Sequence, residues 1–202
     1  MLIKMEWVLR EACKEATRWP GGVKVAVNVS GEQLLDPGFI PSVVGALSQS
    51  GLPAQRLEIE VTESIFVRDA SLARQALEQI MSLGCGIALD DFGTGYSSLA
   101  YIRNLRFSTI KIDRSFVQGA AADNPESLAI IRAVVAMAES LEMSTTAEGV
   151  ETERELAIIR GLGCRKIQGY YFGRPMKAVD ALALFHKPQL QAVKVTGSNY
   201  AA

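Results

Sequence analysis

The chain has 202 residues, 49% hydrophobic and 21% charged, the balance of a globular protein with one large core or two small ones. Its formal net charge of −1 argues against a non-specific nucleic-acid binder, which would carry a strong basic excess. No stretch approaches the ~18 consecutive apolar residues of a membrane span, and the N-terminus lacks the regions of a signal peptide.

Residues 5–18 read as a helix, with Trp7, Val8, Ala12 and Ala16 spaced among Arg10, Lys14 and Glu15. Trp19-Pro20-Gly21-Gly22 stops it. Residues 23–30 (VKVAVNVS) then predict a strand, and residues 39–51 a second helix closed by Gly51 and Pro53. The alternation continues with strands at 56–63, 85–92, 108–113, 143–150 and 164–172. Helices are expected at 71–84, 97–105, 125–142, 153–163 and 177–187. The tail VKVTGSNYAA has no periodic signal and is expected to be disordered over 188–202. Residues 1–187 show no composition break, so a single domain is expected. Cys13, Cys85 and Cys164 are widely separated and His186 is the one histidine. They fit neither a disulfide framework nor a zinc site, and read as buried, reduced thiols of a cytoplasmic protein.

Six strands alternating with helices predict parallel βαβ units. Both a doubly wound open sheet and a (β/α)8 barrel satisfy that count. Five of the six strands carry polar groups at or just past their C-terminal ends: Asn28; Glu60 and Glu63; Asp90 and Asp91; Lys111 and Asp113; Glu148 and Glu151. The sixth carries Gln168 near its middle. Polar contributions from every strand favour a closed barrel, whose active site is built at this face from many strand ends. In an open sheet only the strands at the topological switch point contribute.

The residue types specify the chemistry. Glu60, Asp90, Asp91 and Glu148 are carboxylates, Asn28 adds a neutral oxygen, and Lys111 is one cation. Converging carboxylates have raised pKa values unless a cation joins them. Oxygen-only donors point to Mg²⁺ or Mn²⁺. Adjacent carboxylates such as Asp90 and Asp91 suit two closely spaced metals, an arrangement that promotes phosphoester hydrolysis. Lys111 on the next strand can hold an attacking water or a developing negative charge. Plainer readings exist for each residue alone: helix N-caps for strand-end acids, a first-turn charge for Glu151, a Lys111–Asp113 rim pair, and backbone hydrogen bonds for Asn28 and Gln168. Asp91-Phe92-Gly93 spells the DFG of protein kinases, but no Gly-rich loop or H-R-D segment accompanies it. Gly93 and Gly95 around Thr94 fit a tight, mobile loop.

The segments VAVNVS, LEIEVTES, IALDDFGTGYSSLAYIRNLRFSTIKIDRSFV and TAEGVETERELAIIRGLGCRKIQGYYFGRPM resemble successive motifs of the EAL domain family. The resemblance runs from about Trp7 to about Met176. It implies hydrolysis of cyclic di-GMP to pGpG with Mg²⁺ or Mn²⁺, on an EAL-type (β/α)8 barrel. Asn28, Glu60, Asp90 and Asp91 then match metal ligands, and Lys111 the lysine that positions the attacking water. Glu148 matches a further metal- or water-binding carboxylate, and Gln168 a polar residue near the ligand. Glu151 matches the support of the loop after Asp91. The segment containing Gly93, Thr94 and Gly95 matches that loop, which links the metal site to a homodimer interface.

One departure is large: no Glu-Ala-Leu triplet occurs in the sequence. In the family that glutamate is a metal ligand on an early strand, and an arginine that follows it grips a phosphate. The expectation is therefore a barrel lacking its first two strands, on the order of 50 residues of a ~250-residue fold, with weak or absent activity by itself. A non-catalytic cyclic di-GMP-binding or interaction module, or a decayed fragment, are the competing readings. A sensory or cyclase domain upstream would lie outside this chain.

Overall fold

The computed structural model describes residues 2–93, 102 and 105–185. The helix expected at 97–105, Thr94, Gly95, His186 and the C-terminal tail lie wholly or largely outside those residues.

Six strands form one sheet: β1 (Val25–Asn28), β2 (Leu57–Thr62), β3 (Gly86–Phe92), β4 (Thr109–Ile112), β5 (Ser144–Ala147) and β6 (Lys166–Ile167). All pairings are parallel and the spatial order is β1-β2-β3-β4-β5-β6. Among the described residues each strand lies beside its sequence neighbour, so their order never reverses and shows no switch point. That is the winding of a barrel, not of a doubly wound sheet. Among the described residues β1 pairs only with β2 and β6 only with β5, so the sheet curls into a half-barrel without closing.

Helices bounded within the described residues are α1 (Leu2–Ala16), α2 (Gly31–Leu34), α3 (Phe39–Ser50), α4 (Ile65–Ser82), α5 (Arg114–Ala121), α6 (Pro125–Ser140), α7 (Glu153–Gly161) and α8 (Ala178–Leu184). Strand alternation sorts the side chains. Val25, Val27, Leu57, Ile59, Ile87, Leu89, Ile110 and Ile112 face the helices and are buried, each contributing roughly 1.5–3 kcal/mol. The other face carries Asn28, Glu58, Glu60, Asp90, Thr109 and Lys111, and is concave.

Three differences from the sequence reading have local causes. The buried stripe of α1 is Met5, Leu9, Cys13 and Ala16, whereas Trp7 is 64% exposed; helical period puts position 7 on the opposite side from 5 and 9. The helix expected to begin at residue 71 begins at Ile65, but Asp69 breaks it with φ −153° and ψ 94°. Asp69 then accepts from the amides of Ser71 and Leu72, restarting the helix there. Helix α5 was not anticipated, although Asp113 caps it by accepting from Ser115 N. The three cysteines are buried and free, and burial pushes the Cys13 and Cys85 thiols up to about 11.

Arg56 ties α1 to the sheet. Its Nε donates to Val23 O at 2.8 Å and its Nη2 to Ala16 O at 2.7 Å. Ala16 O belongs to the last turn of α1, whose carbonyls have no partner within the helix. Replacing Arg56→Met is expected to lower the unfolding free energy by about 2 kcal/mol, measured by urea titration with an unchanged m-value.

Candidate metal centre

The centre forms where β2, β3, β4 and the turn after β5 meet on the concave face. Lys111 projects from the middle of β4 and is 4% exposed. Its Nζ lies 2.7 Å from Glu60 Oε2, 3.1 Å from Asp90 Oδ1 and 2.6 Å from Glu148 Oε1. An ammonium has three protons to donate, and three carboxylates take them. Glu60 stands two strands away from Lys111, so the contact depends on the curl of the sheet. The alternative pairing of Lys111 with Asp113 is not made; Asp113 caps α5 instead.

Adjacent strand residues ordinarily point to opposite faces, yet Asp90 and Asp91 both serve this centre. The register explains how. Leu89 pairs with Ile110 and Phe92 with Ile112, so β3 spends one extra residue between those points. Asp91 takes a left-handed conformation, φ 52°, and its amide donates to Asp90 Oδ1 at 3.0 Å. A bulge of this kind re-aims a side chain. As a result Asp90, Asp91 and Glu148 each offer one oxygen within 4.8 Å of the others. Gly93 follows with φ 94°, and its amide lies 3.5 Å from Glu63 Oε1, so Glu63 borders the start of the loop.

The Asn28 amide reaches the same place. One of its terminal atoms lies 3.1 Å from Glu60 Oε2 and 3.2 Å from Asp90 Oδ2. As nitrogen, that atom donates to both carboxylates. As oxygen, it completes a set of three oxygens that needs a cation between them. The donor set therefore fits a hard divalent ion, with Asn28, Glu60, Asp90, Asp91 and Glu148 as its oxygen sources.

The electrostatics agree. Burial raises the Glu60 and Glu148 carboxyls, opposed by Lys111, with Asp90 pushing each up further. Asp91 is raised by burial, then by Asp90 and Asp113. Burial by itself depresses Lys111, but the hydrogen bonds and charges of Glu148 and Glu60 outweigh it and hold the ammonium above its ordinary value. Four carboxylates facing one ammonium leave an excess of negative charge.

The remaining expected residues surround this core. Gln168 sits just past β6 rather than in mid-strand, because that strand is only Lys166–Ile167; its backbone bonds Ala147 and Val150. Glu151 pairs with Arg114 Nη2 at 2.9 Å. The loop it is expected to support continues through Thr94 and Gly95, outside the described residues. Below the centre, a cavity of about 470 Å³ runs between the two open edges, lined by Lys24 and Glu58 on one side and Lys166 and Gln168 on the other. Glu58 was missed in the sequence. It accepts from Ser108 Oγ at 2.6 Å and Thr109 Oγ1 at 3.0 Å, and its period-two spacing from Glu60 in LEIEVT was the available signal.

The sequence model of the EAL domain matches residues 2–175. The chain belongs to the EAL domain family. It is 44% identical over 182 residues to the bifunctional diguanylate cyclase/cyclic di-GMP phosphodiesterase MucR of Pseudomonas aeruginosa, covering 88% of this chain and 26% of that protein. The solved PaMucR phosphodiesterase in complex with c-di-GMP superposes with a TM-score of 0.81 at 43% identity, covering 87% of this chain and 72% of that one. The manganese and cyclic di-GMP complex of Klebsiella pneumoniae BlrP1 matches with a TM-score of 0.76 at 29% identity, over 86% of this chain and 44% of that one. This EAL domain spans between 22% and 28% of the length of the curated relatives it matches. Among its described residues no helix is long and apolar enough to cross a membrane.

Two outcomes follow from the charge arrangement. Lys111→Met leaves the carboxylates without their counter-charge and is expected to cost about 3–5 kcal/mol of metal-free stability, partly restored by Mn²⁺ in a melting experiment. The raised carboxyls of Glu60, Glu148 and Asp91 favour the fold while protonated; that contribution is full below their unfolded values of ~4 and is lost as pH rises through their folded values. Lys111, also raised, contributes below ~10.4 and loses its effect only in alkali. A divalent ion needs the carboxylates deprotonated. The rise in melting temperature on adding Mg²⁺ is therefore expected to grow from about pH 4 to about pH 7, measured as paired melts with and without the ion.

Proposed function

We propose that this EAL domain carries most of the metal- and substrate-handling wall of a cyclic di-GMP phosphodiesterase, acting with Mg²⁺ or Mn²⁺ to yield pGpG. The observation that carries the reading is the convergence of oxygen donors from Glu60, Asp90, Asp91, Glu148 and Asn28 around the Lys111 ammonium in one pocket. The relatives named above, with their bound c-di-GMP and manganese, support it.

The reaction adds water to a phosphodiester phosphorus, breaks the P–O3′ bond and returns a proton to the leaving oxygen. A divalent ion in this pocket supplies positive charge for the phosphoryl oxygens and lowers the pKa of water. Asn28, Glu60, Asp90, Asp91 and Glu148 would hold it. Lys111 remains protonated, so its part is to orient water and offset charge rather than to abstract a proton. Glu148 and Asp91, the less buried acids of the pocket, would accept the proton of the attacking water. Gln168 and the cavity between the sheet edges offer polar contacts to the dinucleotide. Glu63, whose Oε1 lies 3.5 Å from Gly93 N, borders the start of the loop after Asp91, the expected contact to a second copy.

A second reading has one observation in its favour. The 202 residues contain no Glu-Ala-Leu triplet, and in the resemblance that glutamate is a ligand. The chain taken alone is then a module that binds cyclic di-GMP with little turnover. Purified chain incubated with Mn²⁺ and cyclic di-GMP is expected to bind the dinucleotide by calorimetry and to release pGpG slowly or not at all by chromatography. Asp90→Asn is expected to abolish the metal-dependent part of that binding. Rapid pGpG formation would remove the second reading; absence of both metal and dinucleotide binding would remove both.

A further inference from the structure

Helix α5 follows β4 directly, and its first turn touches both ligand-bearing turns of the metal centre. On one side, the Phe116 ring closes on Gly93: a Cβ placed there would lie 3.1 Å from Phe116 Cε2. On the other, the aliphatic stem of Arg114 crosses Gly149. A Cβ on Gly149 would sit 2.3 Å from Arg114 Cγ and 2.6 Å from its Cβ, so no side chain fits. Gly149 also has φ +69°, where glycine is favoured. Beyond the stem, the guanidinium meets Glu151 Oε1 at 2.9 Å. The Gln118 amide oxygen, assigned by its surroundings, accepts from Arg114 Nε at 2.8 Å and Nη2 at 3.0 Å.

The turn so covered runs from Glu148 to Glu151. Amides on either side of Gly149 are paired: Glu148 N donates to Ile112 O, Val150 N to Gln168 O, and Glu151 N and Thr152 N to Glu155 Oε2. These bonds fix the backbone at both ends of the turn. Gly149, between them, has no Cβ to pack, and the Arg114 stem is what lies over it. The direction of the Glu148 carboxylate, 2.6 Å from Lys111 Nζ, is set from this segment.

We propose that Arg114 is a positioning residue for Glu148: its stem clamps Gly149 and its guanidinium holds Glu151, so the Glu148 carboxylate stays aimed at the metal centre. The inference rests on the reading of that centre as a cation site. Outer partners of metal ligands typically change affinity by 10–100-fold, and Arg114 acts in that way through the backbone.

The test compares wild type, Arg114→Ala and Arg114→Lys in the whole 202-residue chain. Mn²⁺ affinity is read by calorimetry, and amide hydrogen exchange across residues 148–152 in metal-free protein. Arg114→Ala is expected to weaken Mn²⁺ binding about 10-fold and to speed exchange in that segment selectively. Arg114→Lys, which keeps a stem and a charge, is expected to recover most of both. Should Arg114→Ala not fold, Arg114→Gln supplies the same comparison. A metal affinity and exchange pattern equal to wild type in the Ala or Gln variant overturns the proposal. So does a loss of global stability with the metal affinity unchanged, since that is the signature of a purely structural residue. A wild-type chain that takes up no Mn²⁺ overturns the metal reading, and is told apart because it fails before any substitution is made.

Discussion

The buried ammonium of Lys111, within 3.1 Å of carboxylate oxygens from three separate segments, is the constraint on which the concave face depends. A buried lysine is costly unless paired, and a cluster of buried acids is costly unless neutralised. Each group here makes the other tolerable. The pairing also sets shape, because Lys111 can reach Glu60, two strands away, only across a curled sheet. The compensation is partial: with Asp91 included, the acids outnumber the one cation. That imbalance is what a divalent ion would correct; burial raises the Glu60, Glu148 and Asp91 carboxyls and the charge of Asp90 adds to it.

A second constraint is geometric. Two aspartates in succession on a regular strand would put one carboxylate among the helices. The extra residue in β3 and the left-handed Asp91 prevent this, and the glycine at position 93 lets the chain leave the sheet at once. The bulge costs ladder hydrogen bonds and a strained backbone. Its location beside the acid cluster links that strain to the site. The turn after β5 shows the same logic, with Gly149 left-handed beside Glu148 and covered by Arg114.

The fold around this centre is regular where it supports and irregular where it acts. Apolar residues on the helix-facing side of the strands pack against α1, α4 and α6, α3 packs on α1, and Arg56 fastens α1 to the sheet. The concave side carries a graded polar interior: Glu58 with Ser108 and Thr109 below, the Lys111 cluster above. Both open edges border the cavity between them, so whatever pairs with β1 or β6 would also form part of the wall of that interior.

Much of this was legible in the sequence. Alternating strand and helix periods specified parallel βαβ units, and acids at successive strand ends specified an oxygen-rich site, because both signals are local and periodic. Asn28, Glu60, Asp90, Lys111 and Glu148 could be singled out on those grounds. Other features could not. Lys111 as the shared partner of three acids requires knowing which strands curl toward each other. Asp90 and Asp91 acting on one side requires a bulge, which leaves no signature in a residue pattern of period two. The contact of Arg114 with Gly149 joins residues 35 positions apart in the chain. The sequence determined which groups this protein has and on which elements they stand, because those follow from local periodicity. The tertiary structure alone decided which groups meet, because distances between strands depend on curl, register and a single extra residue.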